Sequence, residues 1–241
     1  MLYGIAWAIN ASAPNDGPLG LPQVRSTGAF ATDSPVVFLA SAVFDRCPSF
    51  SSSVVLHGNL TGNCSAINVA TNRNLTVVVS GGDAMTIEPS LVIPIGASLL
   101  RNGDGRVLFL SPVNSAGVIR VCGEGPTEFL HIVNCSHIFS VSDRSVVVLW
   151  SSLLGRGNFV VETGGTVEMR SWSGVLRVQP DVQVLQGLLR TDIRDALVFE
   201  GTVLLESSGF IATRGTGGPV TFSKEVRFMS LESDAMVVHS S

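Results

Sequence analysis

The chain has 241 residues and a mass of 25.3 kDa, enough for one large domain or two small ones. Hydrophobic residues make up 45% and charged residues 14%, against roughly 25% charged in ordinary soluble domains, which excludes disorder, a coiled coil and a nucleic-acid arm. The net charge of −4 argues against phosphate backbones and anionic membranes as partners, and Lys224 is the only lysine among the fifteen basic residues.

Mean hydropathy is +0.41, so membrane insertion has to be considered. A spanning helix needs about 20 consecutive apolar residues. The best runs, Pro35 to Phe44 and Ser90 to Leu100, are shorter, and Pro94 interrupts the second. No transmembrane segment is expected in this chain. The opening MLYGIAWAINASAP lacks the basic n-region of a signal peptide. The expectation is a single domain over residues 1–241 that begins inside a larger, membrane-associated parent protein.

Helical periodicity is nearly absent. Short apolar or alternating runs recur between Gly, Ser, Asn and Asp. In chain order they are VVFL (Val36 to Leu39), VVL (Val54 to Leu56), LTVVVS (Leu75 to Ser80), SLVIPI (Ser90 to Ile95) and RVLFLS (Arg106 to Ser111). GVIRVC (Gly117 to Cys122), EFLHIV (Glu128 to Val133), SVVVLW (Ser145 to Trp150), NFVVET (Asn158 to Thr163), TVEMRS (Thr166 to Ser171) and GVLRVQ (Gly174 to Gln179) follow. VQVLQG, ALVFEG, TVLLES, GFIATR, VTFSKEVRF and AMVVHS complete the series. The abundance of Val and Ile suits strands.

Three architectures use many short strands with small-residue corners: a sandwich, a barrel and a right-handed parallel β-helix. Hairpin folds advertise Asn-Gly or Asp-Gly turns, and here only Asn102 to Gly105 and Asn15-Asp16-Gly17 qualify. The runs are also denser than sandwich strands and continue to the end of the chain. The sequence therefore predicts an all-β parallel β-helix, with an antiparallel sandwich or barrel as the alternative. The triplets Asn63-Cys64-Ser65 and Asn134-Cys135-Ser136 stand 71 positions apart, close to three coils of about 24 residues. That repeat predicts about ten coils.

Asn-x-Ser/Thr acceptors occur at Asn10, Asn59, Asn63, Asn74 and Asn134, five of the eleven asparagines. Glycans on surface turns of a secreted or cell-surface protein are the expectation. The closeness of Asn59 and Asn63 disfavours full occupancy of both, and a bridged Cys64 would hinder Asn63 as a bridged Cys135 would hinder Asn134. The four cysteines, Cys47, Cys64, Cys122 and Cys135, allow two disulfides in three pairings. Cys47 with Cys64 and Cys122 with Cys135 are the local choices. In a 24-residue coil those partners would sit on different walls, so the bridges would have to close loops; buried free thiols are the alternative. Zinc is not expected, because no C-x-x-C pair exists and His131 and His137 merely flank Cys135.

Carbohydrate-active enzymes on β-helices need converging carboxylates, or Asp-bound calcium with an Arg base. The nearest candidates here are Asp181, Asp192, Arg194 and Asp195, more simply read as solvated corners. No cofactor is expected: Gly81-Gly82-Asp83 and Asn102 to Gly105 resemble fragments of calcium turns but do not repeat. Trp150, Trp172, Phe139 and Phe159 would form a sugar-stacking strip on an outer face; strand spacing favours the core.

The Val-rich strands, V-F-D-R-C-P (Val43 to Pro48), the two N-C-S triplets and G-T-V-L-L-E-S together resemble the dispersed gene family surface proteins of trypanosomatid parasites. These are very large glycoproteins with pectate-lyase-like parallel β-helix repeats. The resemblance is one of texture over nearly the whole chain. It implies a non-enzymatic stretch of extracellular solenoid at the cell surface or secreted, with a role in adhesion to host matrix, a cell-surface protein or a glycan. No catalytic residues carry over from that family.

Overall fold

A computed structural model describes residues 23–26, 31–32, 35–39, 41–44, 46–171, 174–193, 195–206, 209–214, 218–229 and 236–240. Among these there is no helix, and all strands lie in three sheets of eleven, ten and ten members. Successive strands pass from the first sheet (wall A) to the second (wall B) to the third (wall C) and back to wall A, and each pairs in parallel with the strand one circuit away. The molecule is a parallel β-solenoid of about nine turns, as the short dense runs predicted. The antiparallel alternatives are not what forms.

Coil length departs from the expected 24 residues. Through the middle of the stack each residue meets a partner 20 positions on, as with Val107 and Thr127, Pro126 and Val146, and Val146 and Thr166. Near the start the spacing is 18, with Gln23 beside Ser41, and it reaches 26 where Phe210 meets Met236. Following the register back from Asn134 leads to Asn114, Val92 and then Asn68, not to Asn63. The two Asn-Cys-Ser triplets are therefore not equivalent positions: one lies in a corner and the other in the middle of a wall B strand.

Period-2 alternation sends every second residue into the lumen. In the 20-residue coils like residues fall on like. Phe109 stacks on Phe129 with centroids 4.6 Å apart, and Phe139 lies 5.1 Å from Phe159. Their rings are at most 1% exposed. Burial of one such ring contributes roughly 1.5 to 3 kcal/mol against chain entropy. Phe139 and Phe159 are thus core residues.

Among the described residues one buried inward position is charged. Arg101 occupies the lumen side of wall C between Val77 and Val121 and is fully buried. It is held by corner carbonyls: its guanidinium donates to the carbonyls of Gly103, Gly105 and, at 3.0 Å, Cys122. Burial pushes its pKa below the usual arginine value, against the raising influence of nearby Cys122 and Asp104. Its Nε has no hydrogen-bond partner.

Candidate functional site on wall A

The densest outward-facing chemistry lies on wall A, where the strand Val146–Leu149 ends with Leu149 pointing inward and Trp150 therefore pointing out. The core position expected for Trp150 is incorrect. The run Val-Val-Val-Leu-Trp is apolar on both faces, which hides its phase, and the strand register fixes it. The half-buried indole donates from Nε1 to Glu128 Oε2 at 3.0 Å. Glu128 Oε1 in turn accepts from Arg106 Nε at 2.8 Å and lies 2.7 Å from a terminal guanidinium nitrogen. On the other side Arg170, one coil on, sets its guanidinium carbon 5.5 Å from the indole centroid. Arg170 is paired with Glu168, and Arg190 approaches Glu168 at 3.9 Å.

The result is a strip of alternating charge around one tryptophan, crossing five consecutive strands of a rigid wall. Beneath it Val148, although outward by alternation, is only 5% exposed. Glu128 and Glu168 each face arginine rather than another carboxylate. The strip is therefore suited to polar recognition on a flat face. Carboxylates paired in this way are not the two converging acids that glycosidic cleavage requires.

The carboxylates singled out in the sequence do not come together. Asp181 opens a wall C strand and its Oδ1 accepts from the Thr202 N–H at 2.7 Å. Asp192 is on wall A, in register with Arg170. Asp195 sits at the following corner, where it accepts from the Gly174 N–H. Arg194 and Trp172 lie outside the described residues. No group of three His, Cys, Asp or Glu side chains that could hold a metal occurs among the described residues. Cys135 points into the core while His131 and His137 are exposed. The turns at Gly81 to Asp83 and Asn102 to Gly105 stack on each other, with Asp104 Oδ1 accepting from the Gly81 N–H at 2.7 Å.

Cys47 and Cys64 form a disulfide with Cα atoms 4.7 Å apart. The loop-closing difficulty expected for this pair disappears because the early coils are short. Ala42 pairs with Leu60 one turn on, so residues 17 apart fall almost one above the other. Cys122 and Cys135 are free thiols. They are 13 positions apart in a 20-residue coil, one just past a wall C strand and the other within wall B, so the bridge considered for them does not form. Burial pushes the Cys135 thiol pKa up, opposed by a hydrogen bond from the His137 backbone.

The glycan acceptors are dispersed. Asn10 lies outside the described residues. Asn63 is exposed at a corner beside the bridged Cys64, and Asn74 is exposed at the start of a wall C strand. Asn59 is half-buried, and its Oδ1 accepts from the Thr86 N–H at 2.8 Å. Asn134 is half-buried in wall B between Asn114 and Leu154. No helix among the described residues is long and apolar enough to cross a membrane. No protein-family model matches the chain, no curated protein matches it, and no solved structure matches it.

Proposed function

We propose that the chain is a non-enzymatic stretch of cell-surface or secreted solenoid that binds an extracellular macromolecule through wall A. The observation that carries this reading is the strip formed by Arg106, Glu128, Trp150, Glu168, Arg170 and Arg190. It offers an aromatic edge and alternating charges on a surface whose geometry is fixed by the stacked coils beneath. Exposed acceptors such as Asn74 and the Cys47–Cys64 bridge suit an oxidising, glycosylating compartment. The resemblance in texture to trypanosomatid surface solenoids supports the same placement and an adhesive role toward host matrix, cell-surface protein or glycan.

The test is binding of the full chain to immobilised matrix proteins and cell-surface glycans. Trp150→Ala and Arg170→Glu should each weaken whatever binding is found by about tenfold or more, as central aromatic and arginine contacts do. Arg120→Glu, on the exposed face of wall C, should leave it unchanged. Equal losses from both walls would contradict the assignment to wall A. Release of reducing sugar ends from a polysaccharide by the purified chain would overturn the non-enzymatic reading.

A further inference from the structure

An apolar ridge runs beside the charged strip of wall A. The Leu130 N–H donates to the Phe109 carbonyl and the Trp150 N–H to the Phe129 carbonyl, at 3.0 Å each, so the ladder continues past the strand ends. Leu110, Leu130 and Trp150 therefore stand one above another on consecutive coils. Arg170 continues the column beyond the indole, and Asp192 follows it in register. Leu130 is exposed, and so is Ile132 at the adjoining corner. Contiguous exposed apolar side chains mark contact surfaces where scattered ones do not.

The ions beside the ridge are layered. The side chains of Arg106, Arg170 and Arg190 are between 41% and 59% exposed, whereas Glu128 and Glu168, which face them, are only 13% and 19% exposed. The carboxylates lie against the sheet and the guanidinium heads lie above them. A guanidinium carries five N–H donors, so its contacts to glutamate leave others for a ligand. Asp192 is the exposed acid at the far end of the column.

We propose that the partner of wall A is a protein that presents an acidic, apolar segment. An aliphatic side chain seats on Leu130 and Ile132 against the Trp150 edge, and a carboxylate pairs with Arg170. This rests on the assignment of binding to wall A and narrows it to one class of partner.

Three observations select that class. Arg170 covers one face of the indole and Glu128 holds its Nε1, so the ring is not an open platform for a sugar. Sugar hydroxyls laid over Leu130 and Ile132 would lose water without gaining hydrogen-bond partners. A basic segment would meet the guanidinium layer first, and like charges across a contact are unfavourable. Tryptophan and arginine are also the residues on which protein contacts most often depend.

Leu130 and Arg170 are two coils apart, about 9.6 Å at one strand spacing per coil. A polyproline II segment turns once in three residues, or about 9.3 Å. A leucine and an aspartate three residues apart in a proline-rich frame therefore face the wall together.

The probe is a capped peptide of that kind, titrated into the full chain and followed on the Trp150 indole N–H resonance, which Trp150→Phe identifies. It should shift that resonance saturably. Leu130→Ser combined with Ile132→Ser should raise the dissociation constant about tenfold. Changing the peptide's aspartate to asparagine should weaken binding to the parent chain about tenfold and have little further effect on Arg170→Gln, as a directly contacting pair requires. A peptide that leaves the resonance unmoved, a lysine version that binds as well, or heparin that takes the same site more tightly would each overturn the proposal. Binding of matrix proteins by Trp150→Ala separates the two claims. If that binding is lost while the peptide fails, the partner class is wrong and wall A stands; if it is unchanged, wall A itself is wrong.

Discussion

The middle of the solenoid and its C-terminal coil are built from the same residue types but bury them differently. Between Val107 and Val167 the coils keep a constant length, identical positions superpose, and Phe109, Phe129, Phe139 and Phe159 are covered from both sides. In the last coil Phe222 still stacks on Phe199, at 5.0 Å. Phe222 itself is only partly buried, and Phe228 is half in solvent. An inward apolar residue in a solenoid is stabilised by its neighbours along the axis more than by its own hydrophobicity. Stability in such an array is a sum of neighbour terms.

The largest effect that sharpens this contrast is a matched pair of truncations. Phe129→Ala should cost about 3 to 5 kcal/mol in denaturant unfolding, because it opens a cavity in a closed stack. Phe222→Ala, at the partly open end, should cost clearly less. Equal losses would break the comparison. The early coils differ from the middle by carrying the Cys47–Cys64 cross-link. Replacing both cysteines by serine should remove about 3 kcal/mol, with increased proteolysis confined to the first coils. If the whole chain loosened equally, the coils would not be acting as neighbours.

A smaller effect belongs to the corners. Gly123 has φ of +95°, and a Cβ there would sit 2.2 Å from the Gly103 carbonyl of the coil before. Gly123→Ala should cost about 1 to 3 kcal/mol, measured as a lowered melting temperature, since corner strain adds to a steric clash. Least of all, the exposed Arg177–Glu200 pair should contribute under about 1 kcal/mol. Hydrogen bonds from Arg177 and Gln179 hold the Glu200 carboxyl below the usual glutamate value. Its contribution is therefore present above the unfolded pKa and lost as pH falls through the lowered folded one. The check is stability against pH for Arg177→Ala beside the parent chain, whose difference should vanish in acid.

Much of the architecture was legible in the sequence because Val-rich runs such as Arg106 to Ser111 carry their own alternation. Strands of two residues, such as Leu153–Leu154 and Ser49–Phe50, were not. Two residues cannot display a period, and these are strands only because a neighbour lies in register beside them. The coil length was misjudged because the repeated Asn-Cys-Ser triplets look equivalent and are not. That error also made the Cys47–Cys64 bridge seem strained. Arg101 carried a usable signal: counting by twos from Leu99 places it in the lumen, next to the glycines whose carbonyls it holds. The wall A strip was hidden for the opposite reason. Its members come from five strands, and only the 20- to 22-residue register brings Arg106, Glu128, Trp150, Arg170 and Arg190 onto one face.

The most direct test of the claim that burial along the axis holds the molecule together is native-state amide hydrogen exchange along the whole chain. Amides in the strands from Arg106–Phe109 to Thr166–Ser171 should exchange only through global unfolding. Those of Val220–Phe222 and Val226–Phe228 should exchange fastest. Uniform protection from end to end in dilute solution, or a middle that exchanges before the last coil, would contradict the account.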